Sequence, residues 1–283
     1  MREVFIGNEW LVSGVLTRSQ LRWNYASIFP GVYAPRAADT DLRSRIAGAW
    51  LWSGRDGIIA GRAAASLHGA EYVEADTPIE LIGGRDRSPT GIVIRNERID
   101  ADEIVEIDGM LVTSPARTAL DLGRHLQRDE AVRHLDALAR ASRIGPADAL
   151  SLVSRHRRAR GLRRAEIALD LMDGGSQSPM ETRLRLWYID AGFPRPTTQI
   201  HVTDGFADAF LDMGWEEHMV GADYDGEQHR SSRTRYVHDI GRNELVRREG
   251  WIDIHVVAEH SRRFVIARTA DAFERRGYPL KLR

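Results

Sequence analysis

The most constraining feature of this 283-residue sequence is the polar break DGGSQSP at Asp173–Pro179 and the regular succession of patterns after it. Ser178 predicts the N-cap of a helix, Glu181 falls at the capping-box position, and Gly192 ends the helix. Three strand patterns, a polar and basic helix, a further strand and a closing helix follow. The order αβββαβα predicts a helix, a meander, a crossover and one more strand.

The length of the chain favours two or three domains, because single cores stop growing near roughly 250 to 300 residues. We place a degenerate winged helix at residues 1–60, an α+β domain at 61–150, a basic helical connector at 151–176 and the αβββαβα domain at 177–283. The formal net charge is −1. A net charge near zero does not exclude nucleic acid as a partner, because binding depends on where the positive charge lies on the surface.

The amino-acid usage excludes several classes of site. Cysteine is absent, so disulfides, thiolate nucleophiles and thiolate zinc sites are ruled out. Lys281 is the only lysine, so nearly all positive charge is arginine, the better bidentate ligand of phosphate. The N-terminus lacks an apolar signal core, and no apolar run approaches the twenty or so residues that span a bilayer. We therefore expect a cytoplasmic protein without a membrane segment.

The first sixty residues outline a small winged helix. Thr17 predicts the N-cap of a short helix in LTRSQLRW, and IFPGVYAPR at Ile28–Arg36 predicts a β-turn centred on glycine with flanking arginines. Trp23 is the tryptophan that we expect near a nucleic acid, and Arg36 is a candidate nucleic-acid contact.

Three further features lie between the winged helix and the break. SRHRRARGLRR at Ser154–Arg164 is either a solvated face or connector, or a strip that contacts phosphates. Arg117 and Asp121 are four residues apart in a predicted helix, which indicates a structural ion pair. His68, in an alanine-rich helix, is expected to be a buried, hydrogen-bonded histidine.

Aspartates interrupt the apolar strands of LDMGWEEHMVGADYDGEQH at Leu211–His229. Asp212 ends one strand and Asp223 lies in the next, a spacing that can bring both side chains to adjacent positions of a tight meander. Asp225 shares the face of Asp223 by the strand period. Carboxylates placed in this way repel one another and are costly to desolvate, so a cation between them is expected.

Such a set predicts metal-dependent hydrolysis of a phosphodiester bond. One or two hard cations held by carboxylates would neutralise the phosphate and bring a water in line with the leaving oxygen. His229 could accept or donate the proton, and Glu181 could reach the same place from the preceding helix. The alternative is an ordinary turn with the aspartates solvated at the strand ends.

Residues from Ser178 to about Val257 resemble the PD-(D/E)XK nuclease superfamily and, within it, the Vsr-like domain family of bacterial proteins. The elements that carry the resemblance are, in order, Glu181, GFP at Gly192–Pro194, Gln199, Asp212 with Trp215, DYDGEQH, and DIGR with Asp239 and Arg242. The resemblance implies a restriction-endonuclease-like domain with a central mixed β-sheet flanked by helices.

The resemblance also implies roles for individual residues. The implied catalytic residues are Asp212, Asp223, Asp225, Glu181 and His229, of which Asp212 and Asp223 would hold Mg²⁺ or Mn²⁺. The expected nucleic-acid contacts are Gln199, Arg230, Arg242 and Arg36. The chain departs from the family pattern where Asp223 replaces the usual glutamate and Asp225 replaces the lysine of the superfamily name. Catalysis would then depend on the metal, His229 and an arginine.

Roughly the first 140 residues resemble the AbiEi-type antitoxin and regulator proteins. The matching motifs are LTRSQLRW with GVYAPR, GRAAASLHGA, and GMLVTSPARTALDLGRH. The resemblance implies an N-terminal winged-helix and AbiEi-like module that binds DNA or a partner protein.

Together these observations predict a bacterial protein of the α/β (α+β) class that acts on duplex or structured DNA. The first hypothesis is an endonuclease that requires Mg²⁺ or Mn²⁺ and carries an N-terminal DNA- or partner-binding module. The alternative is a non-enzymatic antitoxin or transcriptional regulator whose nuclease-like domain has become a binding surface. The replacement of lysine by Asp225 favours the alternative, whereas the retained acidic set argues against it.

Overall fold

The computed structural model describes residues 4–37, 40–84, 87–226 and 233–280, with the backbone alone for 233–239. The chain divides into two compact units, Met1–Met172 and Asp173–Arg283. None of the described helices combines the length and the apolar composition that a membrane span requires.

The first unit begins with a three-stranded antiparallel sheet in the order β1-β3-β2. Its strands are β1 (Phe5–Ile6), β2 (Tyr25–Phe29) and β3 (Val32–Pro35), and its helices are α1 (Gly7–Val12), α2 (Arg18–Asn24) and α3 (Leu42–Trp52). The predicted cap of α2 is confirmed, because Thr17 Oγ1 accepts a hydrogen bond from the amide of Gln20 at 3.2 Å. Gly31 adopts φ +80° in the turn between β2 and β3, a conformation that favours glycine.

A second sheet of the first unit has five strands in the order β6-β5-β4-β8-β7 and contains parallel and antiparallel pairs. The strands are β4 (Ile58–Ala60), β5 (Ile79–Ile82), β6 (Ile92–Arg95), β7 (Ile104–Ile107) and β8 (Met110–Thr113). Val32, Ile46, Ile59 and Leu81 belong to one buried cluster that joins α3 to both sheets. The boundary placed at residue 60 therefore falls inside a shared core, since the small first sheet packs on the elements that follow it.

The helices of the first unit that come after α3 are α4 (Gly61–Leu67), α5 (Pro115–His125), α6 (Arg128–Ser142), α7 (Pro146–Val153) and α8 (Leu162–Asp170). Helix α5 packs against α6, α7 and α8. A Cβ added at Gly123 would lie 2.9 Å from Ala165 Cα, so α5 and α8 are in close contact. Residues 151–176 were expected to be a connector, but α8 is part of this helical layer because Ala165, Ala168 and Leu169 are buried.

The second unit has the predicted order αβββαβα. Its elements are α9 (Pro179–Ala191), β9 (Thr197–Thr203), β10 (Asp208–Trp215), β11 (Val220–Tyr224), α10 (Arg233–Arg248), β12 (Ile252–Val256) and α11 (Arg262–Arg275). The sheet order is β12-β11-β10-β9, with an antiparallel meander and a parallel pair of β11 and β12. The central mixed sheet flanked by helices is therefore confirmed.

Each face of this sheet has its own core. Tyr188 of α9 and Phe273 of α11 pack with Trp215 on one face. Leu245 of α10 packs with Leu211 on the other. The helices thus cover both faces, and the polar residues Asp212, Asp223 and Asp253 lie within β10, β11 and β12.

Candidate acidic site of the second unit

Asp212 and Asp223 lie next to each other on β10 and β11. The amide of Asp212 donates to Asp223 Oδ1 at 2.8 Å, and the amide of Tyr224 donates to Asp212 Oδ2 at 2.7 Å. Each carboxylate thus accepts a hydrogen bond from the neighbouring strand. The structure brings together the two aspartates that the sequence singled out as metal ligands.

Arg242 reaches the same place from α10. Its Nη2 donates to Asp223 Oδ2 and to the carbonyl oxygen of Phe210. Its Nη1 lies 3.9 Å from Asp253 Oδ2. In this structure, then, a guanidinium group provides positive charge beside Asp223.

Two residues of the site, Asp253 and His255 on β12, were missed by sequence reasoning. The parallel register places Asp253 beside Gly221 and His255 beside Asp223. Ligand atoms of Asp223, Asp253 and His255 all lie within 4.8 Å of one another. The signal that could have found them is the alternation of polar Asp253 and His255 with apolar residues in IDIHV, which puts both on one face of the strand.

Burial and crowding raise the pKa of both strand aspartates. Burial and the negative charge of Glu181 raise the pKa of Asp212 to about 7. Burial and the charge of Asp253 raise the pKa of Asp223 to about 8, even though Arg242 opposes the shift. Both carboxyl groups therefore hold a proton near neutral pH, because burial and nearby negative charge disfavour their ionised forms.

His255 bridges Asp225 and Asp253. Its Nδ1 lies 3.0 Å from Asp225 Oδ2 and its Nε2 lies 3.1 Å from Asp253 Oδ2. Hydrogen bonds to Asp225 and Asp253 raise the pKa of His255 to about 10, so the imidazole is protonated at neutral pH. Burial works against ionisation of Asp253, but the contact with His255 outweighs it and the pKa of Asp253 is lowered.

Asp225 is exposed and contacts the buried acids only through His255. It follows the last residue of β11, two positions after Asp223, but it is not buried with Asp212 and Asp223. The position that carries lysine in the superfamily pattern thus holds an aspartate, and that aspartate binds a histidine cation from β12.

Glu181 is buried in the first turn of α9, and its charge raises the pKa of Asp212. Its Oε2 accepts a hydrogen bond from the amide of Gln177 at 2.7 Å, while Ser178 Oγ accepts one from the amide of Glu181 at 3.2 Å. The cap by Ser178 is as predicted. In a capping box the glutamate would accept from the amide of Ser178, but here Glu181 accepts from the amide of the preceding residue, Gln177. Glu181 is therefore anchored at the helix start with its charge near Asp212.

Gln199 lies on β9 opposite Asp212, between the pairs Leu211–Ile200 and Met213–Thr198. Its φ is +52°, a left-handed conformation that is strained for a residue with a side chain. Its Oε1 accepts a hydrogen bond from Gln177 Nε2 at 2.8 Å. Strain of this kind occurs most often at functional sites.

The remaining expected site residues are His229, Arg230 and Arg36. His229 and Arg230 fall outside the described residues. Arg36 is in the first unit, where its Nη2 donates to the carbonyl oxygens of Arg22 at 3.2 Å and Tyr25 at 3.1 Å. That guanidinium group therefore closes the C-terminal end of α2.

The donor set fits a hard divalent cation. Such ions take oxygen ligands, chiefly carboxylates, and Asp223 and Asp253 supply them within 4.8 Å of each other, with Asp212 beside Asp223. Asp253 Oδ1 is buried and has no hydrogen-bond partner among the described residues. A cavity of about 390 Å³ opens beside Asp253 and His255 and leaves room for a ligand next to these two residues.

Comparisons with known proteins give one family match, within the first unit, and two relatives that cover most of the chain. Residues 58–172 match the family described as the AbiEi antitoxin C-terminal domain. Two uncharacterised proteins of Mycobacterium tuberculosis, from strains CDC 1551 and H37Rv, are each 28% identical over 256 residues, which cover 88% of this chain and 93% of the relative. No solved structure gives a significant match. The resemblance of the first half to AbiEi proteins is thus supported over residues 58–172, and the nuclease resemblance of the second half stays a prediction.

Proposed function

We propose that this protein is a DNA-binding regulator of the AbiEi antitoxin type. The match over residues 58–172 supports this proposal most directly. The capped helix α2 and the β2–β3 hairpin supply a winged-helix-like element ahead of the matched region. Trp23 on α2 is 70% exposed, with the Arg22 guanidinium 5.8 Å from its ring. An exposed aromatic beside arginine is suited to contact with a nucleic acid.

Binding of a fluorescent duplex at several salt concentrations tests this function. We expect Trp23→Ala to weaken binding about tenfold, because an exposed aromatic contributes contact energy without supporting the core. Phe206→Ala is the control, since Phe206 is a fully exposed aromatic of the second unit. Failure of the full chain to bind any duplex, or an equal loss in both variants, would exclude α2 as the DNA-contacting helix.

We also propose that the second unit is a divalent-metal-dependent phosphodiesterase that acts on DNA. The observation that carries this second function is a cluster of buried acids: Asp223 lies within 4.8 Å of ligand atoms of Asp253 and His255, Asp212 lies beside Asp223, and the pKa values of Asp212 and Asp223 are raised to about 7 and 8. Buried acids in close contact, with Arg242 on Asp223 and His255 on Asp253 as the cationic groups beside them, favour a cation site over a purely structural role. The resemblance to the PD-(D/E)XK superfamily supports the assignment.

In this proposal Asp212 and Asp223 would hold Mg²⁺ or Mn²⁺, and the bound ion would supply charge neutralisation and activation of a water. Glu181 keeps a negative charge behind Asp212. Arg242, which lies beside Asp223, would offer its guanidinium group to a phosphate oxygen, because that group matches phosphate through paired hydrogen bonds. His255, kept protonated by Asp225 and Asp253, donates its proton to the leaving oxygen.

Titration calorimetry with Mn²⁺ and a cleavage assay on duplex, mismatched and single-stranded DNA test the second function. We expect the wild-type protein to bind Mn²⁺ and cut one of these substrates, and Asp212→Asn and Asp223→Asn to lose both properties. Asp208→Asn is the control, because Asp208 lies on the same strand but is exposed. DNA binding without Mn²⁺ binding would contradict the phosphodiesterase proposal and leave only the regulator proposal. Equal cleavage by all variants would indicate a contaminant.

A further inference from the structure

The first unit contains a cavity of about 800 Å³ that neither proposed function uses. Three segments line it: residues 95–98 after β6, residues 124–125 at the end of α5, and residues 154–160 between α7 and α8. We call it the arginine cavity. Its seven arginines are Arg95, Arg98, Arg124, Arg155, Arg157, Arg158 and Arg160.

Some of these arginines belong to the wall. Arg124 pairs with Glu97 at 2.6 Å and Arg155 pairs with Asp102 at 2.6 Å. Burial opposes ionisation of Glu97, but hydrogen bonds from His125 and Arg124 outweigh it and lower its pKa well below the ordinary value. These guanidinium groups are therefore neutralised by carboxylates of the protein.

Arg157, Arg158 and Arg160 are different. All three are exposed and line the cavity, and among the described residues no carboxylate lies within ion-pair distance of their side chains. The three adjacent cationic groups repel one another, and an anion between them would relieve that repulsion. The local excess of positive charge is thus confined to one wall of the cavity.

The segment that carries these three arginines is held on both sides. His156 is buried, and its Nε2 lies 2.7 Å from Glu103 Oε1. Arg124 Nε donates to the carbonyl oxygen of Arg160 at 2.9 Å. Gly161 follows with φ +82°, and a Cβ added there would lie 2.6 Å from the carbonyl oxygen of Arg124. Anchors of this kind fix the backbone and so reduce the entropic cost of binding a ligand.

We infer that the arginine cavity binds a small ligand that carries a diphosphate or triphosphate group. Guanidinium groups bind phosphate oxygens through paired, charge-assisted hydrogen bonds, and three unpaired groups match the charge of such a chain. The volume lies in the range of small-molecule sites, about 300 to 1,000 Å³. Asn96 and Ser154, which also line the cavity, offer hydrogen-bonding groups for the remainder of the molecule.

Calorimetry on the full chain with ATP, GTP, pyrophosphate and adenosine tests the inference. We expect ATP, GTP or pyrophosphate to bind and adenosine not to bind. Preference for a nucleoside triphosphate over pyrophosphate would identify a nucleotide as the ligand, and equal affinities would identify the phosphate chain alone. Absence of binding by all three phosphorylated probes, or binding of adenosine as tight as that of ATP, would overturn the inference.

A matched pair of double variants locates the site. Arg157→Ala with Arg158→Ala removes two cavity arginines, and Arg163→Ala with Arg164→Ala removes two adjacent exposed arginines of α8 that do not line the cavity. We expect the first pair to raise the dissociation constant about tenfold or more and the second to leave it within about twofold of wild type. An equal loss of affinity in both double variants would overturn the site. Unchanged affinity in the Arg157–Arg158 double variant would overturn it as well.

Two further measurements exclude misfolding and a nucleic-acid site. Arg160→Ala alone should weaken phosphate binding, because its guanidinium lines the cavity while its backbone carbonyl keeps the bond from Arg124. The thermal unfolding temperature should match that of wild type in every variant. If the Arg157–Arg158 pair instead lowers binding of a labelled DNA duplex and leaves triphosphate binding unchanged, the arginines serve nucleic acid and the inference fails.

Discussion

Asp212 and Asp223 lie beside each other on the two inner strands of the second unit's sheet, where the amide of Asp212 donates to Asp223 Oδ1 at 2.8 Å. Burial raises the pKa of both acids, to about 7 for Asp212 and about 8 for Asp223. Both groups therefore bind a proton more tightly in the folded chain than in the unfolded one. The free energy of unfolding, and the affinity of these two carboxylates for a metal ion, should accordingly depend on pH.

The first prediction concerns the free energy of unfolding between pH 4 and pH 8. A carboxyl group with a raised folded-state pKa contributes stability below its unfolded pKa, and the contribution is lost as pH rises through the folded pKa. The contribution of these two acids should therefore fall as pH rises from about 4 to about 8, and the difference in free energy of unfolding between wild type and Asp223→Asn, measured by urea denaturation, should fall with it. Asp223→Asn should flatten this dependence, because an amide does not titrate in that range.

Asp208→Asn is the control for this measurement, since Asp208 is exposed and its pKa is lowered. It should leave the fall between pH 4 and pH 8 unchanged. Mn²⁺ should reverse the trend at pH 8, because an ion that binds only the folded state stabilises it. A difference between wild type and Asp223→Asn that stays level or grows as pH rises over this range would contradict the raised pKa of Asp223.

Local sequence signals sufficed for the elements that position the site. Ser178 accepts a hydrogen bond from Glu181 as a cap, and Gly192 ends α9 with φ +93°. Both features depend on residues three or four positions apart. Asp253 and His255 could not be placed from such signals, because their proximity to Asp223 arises from parallel pairing of β12 with β11 across the whole of α10.

The second prediction concerns Arg242, which donates to Asp223 Oδ2. Arg242→Met removes the cation that competes with a metal ion for this carboxylate, so Mn²⁺ affinity should increase several-fold in calorimetry. The same change leaves a buried acid with less compensation and should lower the free energy of unfolding by about 1–3 kcal/mol.

Arg247→Met is the matched control, because Arg247 lies on the same helix, is exposed and lines the cavity beside Asp253. We expect little change in either quantity for this variant. A loss of Mn²⁺ affinity in Arg242→Met would mean that the arginine supports the ion rather than competing with it, and the proposed ligand role of Asp223 would need revision.

The third prediction concerns Arg117 of the first unit, where the predicted ion pair is confirmed and extended. Its Nε lies 2.9 Å from Asp121 Oδ2 and its Nη1 lies 2.6 Å from Glu103 Oε2. The sequence indicated Asp121 because it is four residues away on one helix face. Glu103 and Glu97 were not foreseeable, since they come from segments that meet α5 only in the folded unit.

Arg117→Met should lower the free energy of unfolding by about 3–5 kcal/mol, because it leaves buried carboxylates without their cation. Arg117→Lys should also be destabilising, since one ammonium group cannot reproduce the fork that serves Asp121, Glu103 and Glu97. Urea denaturation measures both variants, with exposed Arg163→Met as a control that should change stability by less than about 0.5 kcal/mol. A loss below about 1 kcal/mol for Arg117→Met would refute the view that this cation organises the first unit.

The fourth prediction concerns the left-handed backbone of Gln199, which lies opposite Asp212 with φ +52°. Gln199→Gly and Gln199→Ala both delete the side chain that accepts from Gln177, so only backbone tolerance distinguishes them. The glycine variant should be more stable than the alanine variant by about 1 kcal/mol in urea denaturation, because a Cβ is strained in this conformation. The same two substitutions at exposed His201, which is on β9 without a positive φ, should give the opposite order, since glycine weakens an ordinary strand by about 0.5–1 kcal/mol relative to alanine. Equal orders at the two positions would show that residue 199 is not held left-handed in solution, and the strain assigned to the edge of the acidic site would be withdrawn.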